Sequence, residues 1–517
     1  QKNFAIIIAI IFIAIGLRVY TFSGYVGLDD AEYARFAVQM NKGSFKIGAY
    51  EGPPVFPLRV GIIMPAAFSF RLFGINEWSM ILFPFITSIL SVLLLFFCAE
   101  YFFGYRAGLF AAFLFALLPI DLINATRLLP DLPAAFFASL GVASILLALN
   151  SSSLQQKNTA LCTGLVGGVF FGISWLIKEN VIYLIPFCTA LIFITVKKDF
   201  KKNAPLWCGV VVGSLGVFII EIITYKFTTG EWFFRFHEIE RNYLQISDGF
   251  FTEGSRWGWP KGGSYMRALI KRLFIAGPQT ILTNELFLYT PLIGLIAAIR
   301  ALYWKDKAFI VPSLWLISLL LMYNFASSSK SYYAPLALFN RYLYPIAFPA
   351  IILTSAFIER LLFNRDKGAD GLFRERFFWG CLIVIFLVVF GGYQSLSFIR
   401  SAKIPGGWAL EGKIISNILS PSNSVYTDNL SIKALEFYWK YPEKMETIDF
   451  EEMPASVVPS KGSYVFIHKR AVNWLKVNEG MWLNKGDVYD KPYFYENIPE
   501  LWKVVWNNDT AILYRVE

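Results

Sequence analysis

Charge is scarce in this sequence. Only 16% of its 517 residues are Asp, Glu, Lys or Arg, where a soluble globular domain carries roughly 25%, so the chain cannot cover an ordinary water-facing surface. Cysteine is scarce too. The five present (Cys98, Cys162, Cys188, Cys208 and Cys381) all fall inside apolar runs and show no metal-ligand spacing. Lipid-buried thiols are poor disulfide candidates, so they read as packing residues. No internal repeat of transporter type is visible. No small-residue cleavage site follows the first apolar run, Phe4–Tyr20, which reads as a retained anchor and not a signal peptide. Because the chain begins at Gln1 without a methionine, a few residues are expected to precede it. These absences exclude a soluble enzyme, a disordered chain and a nucleic-acid-binding domain.

What is abundant is apolar surface, with 56% hydrophobic and 18% aromatic residues. Runs of about 20 apolar residues suffice to cross a bilayer core of roughly 30 Å. They recur near 4–21, 78–99, 106–122, 131–149, 160–177, 180–196, 207–228, 283–302, 308–324, 342–360 and 378–397. This pattern predicts a polytopic α-helical membrane protein with about eleven transmembrane helices. The net charge of +10 lies in the loops, where membrane lipids with anionic or phosphorylated headgroups are the natural partners and nucleic acid is not.

Orientation follows from the short loops. Lys197, Lys198, Lys201 and Lys202 share one, Lys305 and Lys307 a second, and Arg360, Arg365, Lys367, Arg374 and Arg376 a third. With eleven alternating spans all three fall on the side of Lys2, which is cytoplasmic by the positive-inside rule. The outer side then receives four segments: 22–77, the turn 121–131, 229–281 and 404–517. Residues 1–403 read as a transmembrane domain with outer loops 22–77 and 229–281. Residues 404–517 read as a small α/β domain outside the membrane. Its alternating runs are Ser424–Asp428, Ser463–Arg470, Trp502–Asn507 and Ala511–Val516, with a helix near Ser431–Lys440 and a hairpin turn at Asn507-Asn508-Asp509.

The chemistry concentrates just beyond the first span, in Leu28-Asp29-Asp30-Ala31-Glu32-Tyr33-Ala34-Arg35. Three carboxylates in four residues would suit a helix N-terminus, where they favour the dipole and cap free amides. Acidic groups at a membrane boundary are also costly and tend to mark working sites. Further outer-boundary features are Glu51-Gly52-Pro53-Pro54, Arg127-Leu128-Leu129-Pro130-Asp131, Trp175-Leu176-Ile177-Lys178-Glu179 and Asn340-Arg341-Tyr342-Leu343-Tyr344-Pro345.

Together, in this order, these motifs resemble the outer-face motifs of the GT-C membrane glycosyltransferases. The branch is that of the protein O-mannosyltransferases and the lipid A aminoarabinose transferase. The resemblance implies an inverting transfer of a sugar from a polyprenyl-phosphate donor to a hydroxyl acceptor on a lipid, glycan or protein. It implies a prokaryotic plasma (inner) membrane, with the active site facing the periplasm or cell exterior. Transfer to a hydroxyl needs a carboxylate base and cations for the departing phosphate. Asp29 is the expected base, with Asp30 and Asp131 orienting the acceptor or the base. Lys178, Arg341, Arg127 and Tyr342 are the expected donor-phosphate residues, although snorkelling to headgroups would also suit Lys178 and Arg341.

No cofactor is required by this reading, but the resemblance raises a zinc ion linking outer loops. The aminoarabinose transferase has an aromatic stretch ending Glu-His-Ile-x-Arg whose His, with a first-loop Glu, holds zinc. Here the order is His237-Glu238, so Glu238 aligns with that His and Glu51 with the first-loop Glu. The same stretch also reads as an interfacial amphipathic helix with Arg235 and Arg241 on lipid headgroups. Segment 253–272, with Arg256, Lys261, Arg267, Lys271 and Arg272 among glycines and Trp257 and Trp259, reads as a mobile cover or as a basic interfacial loop. The alternative class is a transporter or flippase of lipid-linked sugars. It would place its ionisable residues near the bilayer midplane, whereas here Glu221 and Glu100 are the exceptions to nearly uncharged spans.

Overall fold

The computed structural model describes residues 2–48, 55–150, 157–241, 261–304, 306–327, 332–363, 370–390, 407–449, 458–468 and 498–517, with a few isolated positions between them. In chain order the helices are α1 (Lys2–Tyr20), α2 (Asp29–Asn41), α3 (Val60–Phe73), α4 (Glu77–Phe103), α5 (Tyr105–Ala116), α6 (Pro119–Asn124), α7 (Asp131–Asn150), α8 (Lys157–Ile177), α9 (Ile185–Lys198), α10 (Phe200–Thr229), α11 (234–241), α12 (Tyr265–Lys271), α13 (Gly277–Leu282), α14 (Thr290–Trp304), α15 (Ile310–Phe325), α16 (Tyr344–Phe363), α17 (Asp370–Ile385), α18 (Gly407–Ile418) and α19 (Asn429–Tyr438). Among the described residues seven helical segments are long and apolar enough to cross a membrane, and 5–20, 60–73, 105–116 and 290–301 form shorter apolar helices. Of the last expected span, 378–397, α17 and the π turn Phe386–Phe390 account for 378–390.

Local chemistry sets the helix ends. Asn76 caps α4 by accepting from the Ser79 amide at 3.0 Å, and the Ser79 hydroxyl accepts from the Asn76 amide in return. Two such orphan donors are satisfied at once. Gly104, at φ +88°, reverses the chain into α5, a conformation a side chain would strain. Two expected spans are shorter than read. Pro119 cannot continue α5 and instead opens α6, so the 106–122 run is broken at Leu117–Leu118. The 283–302 run begins as a 3₁₀ turn, passes through left-handed Leu288 and Tyr289, and becomes helical at Thr290.

The bundle is built around α16, buried from Tyr344 through Ile358 against α4, α5, α7, α14 and α15. Beside it, α8 and α10 pack backbone to backbone, because Gly164, Gly168, Gly209 and Gly213 leave no side chain between them. This small-residue approach is a membrane packing mode.

The C-terminal domain holds one mixed sheet in the order β2-β1-β3-β5-β4 (β1 Val425–Thr427, β2 Thr447–Asp449, β3 Tyr464–His468, β4 Lys503–Asn507, β5 Ala511–Arg515). β1 runs parallel to β2 and β3, while β5 runs antiparallel to β3 and β4. The turn after β4 is closed by Asn508, whose side-chain oxygen accepts from the Thr510 and Ala511 amides. Strand β2 is an addition to the sequence reading. The boundary expected at 403/404 lies outside the described residues.

Candidate active site

The first acidic cluster splits into two structural roles. Asp30 is buried, and its two carboxylate oxygens accept from the amides of Val26 (2.6 Å), Leu28 (2.9 Å) and Gly27 (3.3 Å). It thereby locks the loop that leads into α2; the free amides of the helix itself, which such a cluster was expected to cap, receive no side-chain cap. Burial pushes its carboxyl above the ordinary range, against the pull of those amides and of nearby Arg127. Asp29, one residue earlier, points elsewhere. Its Oδ2 sits 2.6 Å from Nη2 of Arg341.

Arg341 is delivered by the 3₁₀ turn Asn340–Leu343 that precedes α16. Its Nε also lies 3.9 Å from Oδ2 of Asp131, the first residue of α7. A carboxylate there is favoured by the helix dipole. The other Asp131 oxygen receives the ammonium of Lys178, which ends α8. The Tyr342 ring underlies both cations, 3.7 Å from the Lys178 nitrogen and 5.5 Å from the Arg341 guanidinium carbon. Asp29, Asp131, Lys178, Arg341 and Tyr342, spread over more than 300 residues, therefore form one cluster. Arg127 lies in the loop before α7, close enough to Asp30 and Arg341 to feel both charges, and burial lowers its pKa. Its Nε makes no hydrogen bond among the described residues.

A second layer of charge, not anticipated from the sequence, lies behind this cluster. Glu179 accepts from Arg59 at 3.0 Å, and Arg59 donates to the Tyr33 hydroxyl at 2.6 Å. Arg235 is buried. It pairs with Glu221 at 2.6 Å, donates to the Trp175 carbonyl at 2.7 Å and lies 3.9 Å from Glu179. Arg235 is thus not on lipid headgroups: the carboxylate of Glu221 and the Trp175 face 4.4 Å away offer a closer partner than the bilayer surface. The same pair accounts for Glu221, the acidic residue inside the seventh span. Arg241 is half exposed and pairs with Glu238 at 2.7 Å. The available cue for this layer was chemical: Glu179 and Glu221 sit in or beside apolar runs and must find cations.

The metal expectation finds no cluster. Glu51, with Gly52-Pro53-Pro54, lies outside the described residues. His237 is exposed and contacts Glu231 at 3.1 Å, and Glu238 is engaged by Arg241. Among the described residues no three His, Cys, Asp or Glu side chains gather as ligands. In segment 253–272, residues 254–260 are outside the described residues; Arg272 donates to the Asn324 side chain at 3.1 Å and the Leu336 carbonyl at 2.9 Å.

The C-terminal domain lies at the same end of the bundle. Lys433 pairs with Glu32 at 2.9 Å, Lys413 with Glu77 at 2.8 Å, and Tyr25 stacks on Phe437 with ring centroids 4.4 Å apart.

Residues 60–223 match the protein family described as dolichyl-phosphate-mannose-protein mannosyltransferase. Over 99% of this chain and 98% of that one, the structure is similar to apo ArnT from Cupriavidus metallidurans, with a TM-score of 0.60 and 13% identity. The same protein bound to undecaprenyl phosphate gives 0.57 at 14% identity, covering 99% of this chain and 97% of that one. The apo oligosaccharyltransferase of Archaeoglobus fulgidus gives 0.56 at 12% identity, covering 93% of this chain and 71% of that one. Sequence comparison with curated proteins gives no match. At these identities the likeness is one of fold.

Proposed function

We propose that this chain is an inverting glycosyltransferase that moves a sugar from a polyprenyl-phosphate donor to a hydroxyl acceptor at the outer face of a prokaryotic plasma membrane. The observation that carries the reading is the Asp29–Arg341–Asp131–Lys178 cluster around Tyr342, at the end of the bundle opposite the basic loops. ArnT binds undecaprenyl phosphate, and the Archaeoglobus oligosaccharyltransferase AglB has been solved with a dolichol-phosphate. A polyprenyl phosphate is the matching donor class here.

In the proposed reaction the acceptor oxygen attacks the anomeric carbon from the face opposite the phosphate. The carbon–oxygen bond to phosphate breaks, the polyprenyl phosphate departs, and the acceptor proton passes to Asp29. Asp29 suits the base role because its side chain is 28% exposed, whereas Asp131 is 3% exposed and shared between two cations. Arg341, with Lys178 behind it and Arg127 beside it, supplies positive charge where the phosphate develops its own. Asp30 holds the loop that aims Asp29, and Asp131 holds Lys178 and Arg341 in register. The acceptor is a lipid, glycan or protein hydroxyl.

Asp29→Asn tests the reading. It keeps the shape but cannot accept the proton, and loss of a general base costs about 10²–10⁴-fold in rate. Transfer is measured with undecaprenyl-phosphate sugars in nanodiscs, and binding with undecaprenyl phosphate. A collapse of transfer with retained binding is expected; transfer at the parent rate overturns the assignment of Asp29.

A further inference from the structure

Helix α19 of the C-terminal domain has two apolar faces. Leu435, with Trp439 just beyond the helix end, packs into the sheet core with Ile415, Phe466 and Leu513. Ala434 and Phe437, at helical spacing, pack instead with Ala31, Tyr33, Ala34 and Leu128 in one apolar cluster that is continuous with the membrane bundle. The domain and α2 therefore share a core, unlike two modules on a tether.

Polar contacts ring that shared core, and their placement is specific. Glu32, one turn after Asp29 on the same helix, is buried and receives Lys433 on one oxygen at 2.9 Å and Arg35 on the other at 2.7 Å. At the far end of α2, Lys42 donates to the Tyr441 carbonyl at 2.7 Å. Below, Glu77 of α4 accepts from Lys413 at 2.8 Å and from the Tyr438 hydroxyl at 3.1 Å. Helix α2 is thus gripped near its start by α19 and at its end by the turn that follows α19. Residues i and i+3 are neighbours on a helix surface, so the Lys433–Glu32 pair acts one turn from the carboxylate that faces Arg341.

We propose that the C-terminal domain is a working part of the active site: it sets the position of α2, and Lys433, through Glu32, is a positioning residue for Asp29. The inference rests on the reading of Asp29 as the base. Lys433 touches no reacting atom, and its effect comes through the placement of the base. Displacing a catalytic group by about 1 Å costs up to about 10²-fold in rate.

The experiment uses the full chain in nanodiscs, with the undecaprenyl-phosphate sugar that the parent accepts and with undecaprenyl phosphate as the binding probe. Lys433→Met keeps the apolar stem and removes the charge; Lys433→Arg keeps the charge. Expected for Lys433→Met is a kcat about tenfold lower with probe affinity within about twofold of the parent, and for Lys433→Arg a kcat near the parent. A domain that only adds stability would lower the melting temperature of Lys433→Met and leave kcat of the folded fraction unchanged; that result overturns the proposal. If Lys433→Met fails to assemble, Lys433→Gln, which keeps a donor near Glu32 and removes the charge, carries the same test with the same two outcomes. Asp29→Asn is run alongside. If it transfers at the parent rate, the base reading fails; if it is inactive while Lys433→Met is parental, the positioning role alone fails.

Discussion

Arg235 separates a surface reading of the third outer segment from a buried one, and its variants put a number on the difference. The guanidinium is 2% exposed, paired with Glu221 at 2.6 Å and stacked 4.4 Å from the Trp175 ring. Glu221 keeps two other donors, the Trp175 indole at 2.5 Å and the Tyr225 hydroxyl at 3.1 Å, but no other cation within ion-pair reach among the described residues. Arg235→Met retains the volume and leaves that carboxylate charged and buried, which costs about 3–5 kcal/mol. Adding Glu221→Gln removes the stranded charge while leaving a carbonyl oxygen to accept from the Trp175 indole and an amide to donate to the Tyr225 hydroxyl, so the double variant should recover most of the loss and the pair should be strongly non-additive. Arg241→Met provides the contrast: its half-exposed pair with Glu238 is worth about 1 kcal/mol or less. Thermal unfolding in nanodiscs of Arg235→Met, Glu221→Gln and the double variant gives the cycle, with Arg241→Met as the contrast. Equal small shifts for Arg235→Met and Arg241→Met would mean that both side chains lie on headgroups, and the buried network would be wrong.

Two further outcomes follow from packing and protonation. A Cβ on Gly168 would fall on the Val210 carbonyl oxygen of α10, so Gly168→Ala should cost about 1–3 kcal/mol, while Gly216→Ala, which meets nothing within 4 Å, should be close to neutral in the same melting assay. In the C-terminal domain, burial would raise the Glu411 carboxyl, but His468, whose ring lies 3.6 Å away, and the hydroxyl bond from Thr510 outweigh it and hold the group below its usual range. A depressed folded-state pKa means stability that is present above the unfolded value and lost as pH falls through the folded one; the melting temperature of the chain should begin to fall as pH drops below about 4.5, with a weaker acid dependence in Glu411→Gln.

The fold was legible because a bilayer imposes a simple rule: apolar runs of sufficient length must be helices. The polar tail, with its period-two runs and Asn-rich turn, announced a sheet for the complementary reason. Legibility faded where a single residue decides. Pro119 divides a run that hydropathy alone joins. Asp29 and Asp30 are chemically identical and adjacent, yet consecutive helix positions diverge by about 100°, so one meets Arg341 and the other meets loop amides. The pairs Arg59–Glu179 and Arg235–Glu221 were hidden because their members belong to different segments. The sequence demanded a cation for each buried carboxylate but carried no sign of which.

The exposure of the ion pairs then ranks the cations for donor binding. Lys178 and Asp131 are each 3% exposed, Arg235 and Glu221 2% and 4%, Arg59 and Glu179 9% and 10%, while Arg341 and Asp29 stand at 31% and 28%. An arriving phosphate can reach Arg341 without breaking a sealed pair. Lys178 is committed to Asp131 and backed by Tyr342, so its charge acts on the donor mainly through the local field. Arg341→Met should therefore cost little stability, about 1 kcal/mol or less. It should weaken binding of undecaprenyl phosphate by the 1.5–3 kcal/mol typical of a charge-assisted hydrogen bond, about 10–100-fold. Lys178→Met should do the reverse, losing up to about 3–5 kcal/mol of stability because the buried Asp131 keeps only the Arg341 contact at 3.9 Å, with much of it restored by adding Asp131→Asn. Melting temperature and probe affinity measured on the three variants decide the order. If Lys178→Met kept the parent stability and lost donor affinity while Arg341→Met kept both, Lys178 would be the primary phosphate contact and the exposure argument would fail.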